Sequence, residues 1–526
     1  MGEEEEESHY FERPQEFEML LNLQEVVFSV NISNFSQKAN DLKNLNCFIK
    51  PRAVHTTIVN IFNAIKYRPI HHFAYAQLLK VLLDMEDDTK CYSLIKPYTL
   101  SLFRAIVDDE RSYPREAAIV AFIYDAFLLN CFTIAEVVET FKLVFKAHLN
   151  PTELAIVFFF YFCPELKSFN SDFFEYLLTS ITNSEERTMP QEIHDIFDLM
   201  NDLFDNNFKM LRGWRECHAP PNSYADAILK DDCNMLQNII AKEKATPNEY
   251  ITPTIFGLSS FVVDKPTLIQ YSCYFGSLKC FKYLILNDAS LSYTDEKHRS
   301  LIQFAVAGGN SEIIHILEQK PILFSRTLAI SIEYHHDQLF KWIYEHHYQG
   351  KLKEDAISIN IYQIAMSSNN VQALEFIMRN KIKVKTDLFN SWENCWMTLL
   401  NGFIITYQTV YPNHTINLNY TAYDNHYTPL HWAVINKYDG IIETILSIRN
   451  YNINSLDDYG RTPFYLAVEN GYVEILPVLK KYGAKINKRA KCNLTPIHAA
   501  IRNNQSGSIR FLLSVTDYDL NMKDSV

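Results

Sequence analysis

Thr428-Pro429-Leu430-His431-Trp432-Ala433 returns as Thr462-Pro463-Phe464-Tyr465-Leu466-Ala467 and again as Thr495-Pro496-Ile497-His498-Ala499-Ala500. The second threonine follows the first by 34 residues, and the third follows after 33. A fixed period of this size marks stacked structural units. Each unit has a matching second half. After Thr462 come Asn470-Gly471, the apolar positions Val473, Ile475, Leu476 and Leu479, then Gly483-Ala484 and Ile486-Asn487. After Thr428 the same stretch runs through Ile441, Ile442, Ile445 and Leu446 to Ile453-Asn454.

The residues of the phrase predict its conformation. A threonine hydroxyl caps a helix, and proline fits the first helical position because its missing N–H has no intrahelical partner there. The apolar residue and alanine that follow lie on one face, and small alanines let a neighbouring helix approach. Gly471 suits a turn between two helices, and Gly483 suits a left-handed end to the second. One unit is therefore two antiparallel helices and a projecting turn. The phrase, the glycine between the helices and the Gly-Ala-x-x-Asn after them resemble the ankyrin repeat.

Weaker copies extend the period towards the N-terminus. Thr267-Leu268-Ile269-Gln270-Tyr271-Ser272 keeps the phase with Gly276, Leu278, Phe281 and Leu284, and Ser300-Leu301-Ile302-Gln303-Phe304-Ala305 follows 33 residues later with Gly308-Gly309 and Ile313-Ile314. These carry polar substitutes at the phrase positions. Ser331 to Ile343 reads as a shorter unit, and Ala365 with Leu374, Phe376 and Ile377 as another. Ala433 lies 68 residues after Ala365, so one further unit is expected between them, with a helix around Trp396 to Leu400 and Gly402. The first unit is expected at Tyr224 to Asp232 with Leu236, Ile239 and Ile240, followed by an extended insertion from Thr246 to Lys265.

Residues 14–215 read as successive helices. Pro14, Pro51, Pro69, Pro97, Pro114, Pro151, Pro164 and Pro190 fall at or near the starts of apolar-periodic stretches, as helix-opening prolines do. Expected helices include Glu16 to Val30, Arg52 to Tyr67, Ile70 to Met85, Pro114 to Leu129, Ile134 to His148, Thr152 to Phe162 and Gln191 to Asn206. Residues 216–223, with Pro220-Pro221, read as a linker. The fold class expected is all-α: an N-terminal helical bundle or α-solenoid, then an ankyrin-repeat solenoid with short hairpin turns. Its divisions are an acidic tail at 1–13, helical residues 14–215, the linker, degenerate repeats at 224–420 and regular repeats at 421–526. This layout resembles ankyrin-repeat proteins with a long helical N-terminal region found in parasitic protists.

A 526-residue chain with 48% hydrophobic and 21% charged residues is globular and too long for a single core. Its formal charge of −13 argues against nucleic-acid binding by bulk charge. The ten cysteines form no C-x-x-C pair, which suits free thiols in a reducing compartment. Met1-Gly2 with Glu3 to Glu7 has neither the basic nor the apolar part of a signal peptide. The longest apolar run, Leu154 to Cys163, is about half a membrane span. A cytoplasmic location without a transmembrane segment is expected.

His71-His72, His335-His336 and His346-His347 invite a metal reading, but none sits in an H-E-x-x-H or Cys/His finger pattern, and packing or surface roles are expected instead. His431 and His498 belong to the repeated phrase, and the resemblance implies a hydrogen bond near the threonine of the same phrase. Phosphate loops, nucleophile elbows and kinase motifs are absent from the sequence, so no enzyme activity, cofactor or metal is expected. Function then falls to surface.

The resemblance implies that the concave side carries Asp424, Asn425, Tyr427, Trp432 and Ile435 in one unit. Asp458, Tyr459, Arg461, Leu466 and Glu469 follow in the next, and Lys491, Leu494, Arg502 and Asn503 in the last. From Ile475 to Thr516 there is no acidic residue, while Lys480, Lys481, Lys485, Lys488, Arg489, Lys491, Arg502 and Arg510 are basic. The expected partner-binding residues are Tyr427, Trp432, Ile435, Tyr459, Arg461, Leu466, Arg489, Lys491 and Arg502. The expected partner is a protein with an acidic surface; the alternative is anionic membrane or nucleic acid, and the acidic tail could cover the patch in the same molecule. Without a polar capping helix before Val526, the end near Leu512 and Leu513 is expected to fray or to meet a partner.

Overall fold

The computed structural model describes residues 15–45, 48, 51–85, 91–108, 117–147, 153–182, 191–254, 256–257, 259–348, 361, 364–365, 368–380, 426–435, 437, 439–448, 451–515 and 518–519. Among these residues the regular structure is helical, with no strand and one isolated antiparallel bridge between Tyr250 and Thr267. The chain groups into two compact units, Asn22–Gln349 and Met1–Leu21 with Gly350–Val526.

The first of these contains the helices Pro51–Tyr67, His72–Asp84, Ile95–Asp108, Ala117–Leu128, Ile134–Ala147, Glu153–Phe169 and Ser171–Thr182. Its centre is the apolar run found in the sequence. Every residue from Leu154 to Cys163 is buried, so the helix that carries them must be covered on all sides. Phe158 stacks on Phe141 with centroids 3.9 Å apart and meets Phe103 edge-on at 4.8 Å.

Two helix expectations are corrected here. The run does not stop before Pro164: the helix Glu153–Phe169 continues through it. Proline removes the N–H that would bond the carbonyl four residues back, that of Phe160, and crowds the preceding turn. The neighbouring Tyr161 carbonyl takes a different donor, Nη1 of Arg215, whose guanidinium also bonds Glu165 at 2.9 and 3.3 Å and lies 4.5 Å from the Tyr124 ring centroid. The helix expected from Gln191 to Asn206 is instead two, Gln191–Asp198 and Met200–Cys217, and the second is broken where Asp205 to Phe208 leave helical geometry.

Helix pairs follow: Tyr224–Leu229 with Cys233–Glu243, Leu268–Phe275 with Leu278–Leu286, Leu301–Gly308 with Ser311–Glu318, and Thr327–Glu333 with Asp337–Ile343. The second unit holds Val371–Arg379 and the pairs Pro429–Ile435 with Asp439–Ser447, Pro463–Glu469 with Leu476–Lys481, and Pro496–Arg502 with Ser506–Ser514. The turn inside each of these seven pairs contains one residue at positive φ, namely Asp231, Gly276, Gly309, His335, Lys437, Gly471 and Asn504, and Asn369 precedes Val371–Arg379 in the same way. This left-handed residue reverses the chain between two helices and marks the phase even where glycine is missing. The unit expected around Trp396 lies outside the described residues.

A second regularity links three of the pairs to the next. His431 Nδ1 accepts from the Thr428 N–H at 3.1 Å, which leaves Nε2 to donate to the Arg461 carbonyl of the following unit at 3.2 Å. Gln270 does the same with an amide: its Oε1 accepts from the Thr267 N–H at 2.8 Å and its Nε2 donates to the Arg299 carbonyl at 3.1 Å. Gln303 likewise caps Ser300 and reaches the Ser325 carbonyl at 3.1 Å. The glutamines preserve both bonds of the histidine.

Candidate partner-binding surface

The projecting turns of the regular pairs are built from their own side chains. Thr462 accepts from the Tyr465 N–H at 3.1 Å and starts its helix. Before it, Asp457 folds the turn by accepting from the Tyr459 N–H, the Arg461 N–H and Arg461 Nε at 2.9, 2.7 and 2.8 Å. Gly460, at φ +72, occupies the tip where a Cβ would stand 3.1 Å from the Lys491 nitrogen. The Lys491 N–H donates to the Tyr459 carbonyl at 2.8 Å, so consecutive turns are joined edge to edge. The degenerate turn at Asp295 to Arg299 repeats the design, with Asp295 accepting from the Arg299 N–H at 2.7 Å and Nε at 2.5 Å.

Of the nine expected contact residues, the structure brings Tyr427, Trp432, Tyr459 and Arg461 together. Arg461 Nη1 donates to Glu469 at 2.9 Å, its Nη2 to the Tyr427 hydroxyl at 3.0 Å, and its guanidinium lies 4.8 Å from the Tyr459 ring centroid. The carboxylates at Asp457 and Glu469 hold its pKa above the ordinary arginine value against the opposing effect of burial, which is the largest single influence. Tyr427 lies flat over His431 and edge-on to Trp432 at 6.4 Å, and burial raises its hydroxyl pKa. Ile435 is half-buried, and its carbonyl accepts from the Tyr472 hydroxyl at 3.1 Å.

The fully presented groups are Tyr459, at 54% exposure, Arg489, Lys491 and Arg502. Arg502 approaches Glu469 only at 4.0 Å. Leu466 departs from its expected exposed position: at 2% exposure it is part of the interior. Its place on the first helix faces the same way as Trp432 by period, but neighbouring side chains close over it. Asp424 and Asn425 lie outside the described residues. Beside the presented groups, Lys480, Ala484, Lys485, Ile486, Asn487 and Lys488 line a shallow recess of about 490 Å³ with a basic rim.

The histidine pairs go to packing and hydrogen bonding. His72 Nδ1 meets Asp125 at 2.5 Å, and its ring stands edge-on to His218 at 4.7 Å. His218 pairs with the Tyr161 hydroxyl at 3.3 Å, and burial with His72 nearby holds its pKa well below the usual value. His335 stacks on Phe28 at 3.8 Å, and His336 bonds the Ala307 carbonyl at 2.8 Å through Nε2. Burial depresses the His336 pKa to about 4, and that of His431 to about 4 as well. His347 stacks on Phe324 at 3.9 Å, while His346 Nδ1 bonds the Trp342 carbonyl at 2.9 Å. Among the described residues no group of three or more potential ligands could hold a metal ion.

One cluster was not picked out by sequence. Within the insertion after the first pair, the four-residue helix Ser260–Val263 places Phe261 flat on Tyr274 at 5.4 Å and edge-on to Phe304 at 4.9 Å and Tyr334 at 5.6 Å. The Arg299 guanidinium lies 4.3 Å from the same ring centroid and donates to Asp264 at 2.7 Å. The sequence signal was the extra length of the insertion; a lone phenylalanine in it carries no periodicity.

Stacked helix pairs with capped starts, joined turns and forward histidine or glutamine bonds define an α-solenoid of ankyrin type. Residues 430–524 match a family of three-copy ankyrin repeats, and residues 269–318 match a second family of ankyrin repeats in many copies. The chain thus carries ankyrin repeats in both the regular and the degenerate regions. It is 33% identical over 79 residues to a transient receptor potential cation channel subfamily A member 1 homolog of Caenorhabditis elegans, covering 15% of this chain and 6% of that protein. A putative ankyrin repeat protein of Rickettsia bellii is 25% identical over 170 residues, covering 32% of this chain and 52% of that one. The nuclear factor NF-kappa-B p105 subunit of Rattus norvegicus is 32% identical over 94 residues, covering 17% of this chain and 10% of its own length. The matched regions thus span about half of the Rickettsia relative and a tenth or less of the other two. Among the described residues no helix is long and apolar enough to cross a membrane.

Proposed function

We propose that this protein is a non-enzymatic scaffold or adaptor whose regular repeats bind an acidic protein segment. Ankyrin repeats are in general modules for protein–protein interaction, and the chain's own contribution is charge. The observation that carries the reading is the absence of acidic residues from Ile475 to Thr516 together with the exposure of Arg489, Lys491 and Arg502. Exposed cations concentrated in one segment without acidic residues attract an acidic partner and speed its approach. Tyr459 supplies apolar area beside them, whereas Tyr427, Trp432, Ile435 and Arg461 brace the turns that present it. Leu466 is left out of the contact set because it is buried. The long helical region before the repeats supplies a second docking surface in this reading, and the layout supports kinship with ankyrin-repeat proteins of parasitic protists.

The test compares the wild type with Arg489→Glu/Lys491→Glu. The proposal expects a salt-sensitive set of acidic proteins bound by the wild type and lost by the variant, with purified members of that set binding directly. The alternative reading, an adaptor for anionic membrane or nucleic acid, draws on the basic recess at Lys480, Lys485 and Lys488. It gains if phosphatidylserine vesicles or nucleic acid bind with the same charge dependence while no purified protein does. Equal protein binding by wild type and variant overturns the charge-based reading.

A further inference from the structure

The cage around Phe261 is built from first-helix and turn positions that have counterparts in the regular repeats. The forward bonds fix the correspondence, because Gln270 and Gln303 make the two hydrogen bonds of His431. Counting from those residues, Tyr274 stands where Ile435 does. Phe304 stands where Leu466 does, Arg299 where Arg461 does, and Tyr334, counted from the positive-φ turn residue, where Asn503 does. The first-helix face of the degenerate repeats is therefore already filled, and what fills it is a piece of the same chain.

That piece is held as a short peptide is held. A helix of four residues has no stability of its own. Ser259 caps it by accepting from the Phe261 N–H at 3.2 Å; Val262 and Val263 are buried beside Phe261, and the directional contacts come from the Phe261 ring and the Asp264 carboxylate. Phe261, 6% exposed, sits among three aromatic rings under a guanidinium; Asp264 completes Arg299, which Asp295 already fixes from the other side. A buried aromatic anchor beside an aligned arginine is the arrangement that dominates affinity at protein interfaces. In the regular repeats the corresponding arginine, Arg461, is instead satisfied by Glu469 and Tyr427, so the two regions differ in what they accept.

We propose that the face formed by Tyr274, Phe304, Tyr334 and Arg299 is a recognition site for a protein segment carrying an aromatic residue followed three positions later by a carboxylate. Ser259–Asp264 fills it in cis and competes with such a partner. Tethering gives the internal segment an effective concentration in the millimolar range. A partner with this pattern prevails only by adding contacts elsewhere or when the internal segment is displaced. The site is separate from the basic surface of the regular repeats, so either proposal can fail without the other.

The probe is a fluorescent peptide of residues 256–266, with a second peptide carrying Phe261→Ala as its control. Both are titrated against the full chain and against the full chain with Phe261→Ala/Asp264→Asn, whose fold is checked by circular dichroism. The expected result is binding of the first peptide to the double variant at least tenfold tighter than to the wild type, with the control peptide bound by neither. Should the variant fail to fold, hydrogen exchange on the wild type decides: excess peptide must speed exchange at the Phe261 and Val262 amides. A folded variant that binds neither peptide or both alike overturns the proposal, as do wild-type amides that excess peptide leaves unchanged.

Discussion

Replacing His431 by glutamine should leave the regular repeats as stable as before near neutral pH and make them less sensitive to acid. The histidine is 0% exposed and works in its neutral form, with Nδ1 accepting from Thr428 and Nε2 donating to Arg461. Burial holds its folded pKa at about 4, against about 6.5 in an unfolded chain. Between these values the unfolded chain binds the extra proton, so the contribution of His431 is complete above pH 6.5 and is lost as pH falls towards 4. The shift corresponds to about 2 kcal/mol lost by pH 5. Glutamine makes the same pair of bonds at Gln270 and does not titrate, so His431→Gln should cost less than about 1 kcal/mol at pH 7.5. His431→Leu, by contrast, removes the cap and strands the Arg461 carbonyl, at roughly 2–4 kcal/mol. Hydrogen exchange of the Leu430 to Ile435 amides, corrected for intrinsic rates and followed from pH 7.5 to 5, reads the local opening free energy. Equal acid sensitivity in wild type and His431→Gln, or a loss above about 3 kcal/mol at pH 7.5, would refute the reasoning.

Four further changes test the packing. Gly308→Ala places a methyl 2.3 Å from the Tyr274 carbonyl oxygen and 2.5 Å from that of Cys273, so two helices must separate; a loss of about 2–3 kcal/mol is expected in chemical denaturation. Gly483→Ala meets nothing within 4 Å and should cost only the strain of φ +91, about 1 kcal/mol by the same measurement. Phe158→Ala empties the stack on Phe141 and should lower stability by about 3–5 kcal/mol, seen as a lower melting temperature. Arg215→Ala removes the cation that pairs with Glu165 and a side-chain donor to the Tyr161 carbonyl, and a loss of roughly 3 kcal/mol should appear in the same melts.

The helix pairs were legible in the sequence because their starts are chemically marked. Threonine, proline and a glycine in the following turn each enforce a local geometry, and they recur in phase. The degenerate pairs at Thr267 and Ser300 were visible by the same phase, although only coordinates show that Gln270 and Gln303 do the work of histidine. Leu466 was misplaced because periodicity assigns a direction on a helix and says nothing about what closes over it. Pro164 was read as lying near the start of a helix since proline fits the first turn; here it lies inside one, and Arg215, 51 residues further along, supplies a donor to the Tyr161 carbonyl beside it. Phe261 was invisible for a related reason, as its partners come from three separate helices and its own four-residue element has no repeat.

The forward bonds also give the solenoid a direction. Each of His431, Gln270 and Gln303 reaches towards a carbonyl further along the chain, so the start of one pair is completed by the pair after it. A proteolytic nick between Ser447 and Arg461 would therefore threaten the bond that completes the helix start of the upstream pair, while the downstream helix start keeps its own bond from the Tyr465 N–H to Thr462. Damage should spread backwards through the array, and a clip near one end would register as loosening in the neighbour that precedes it.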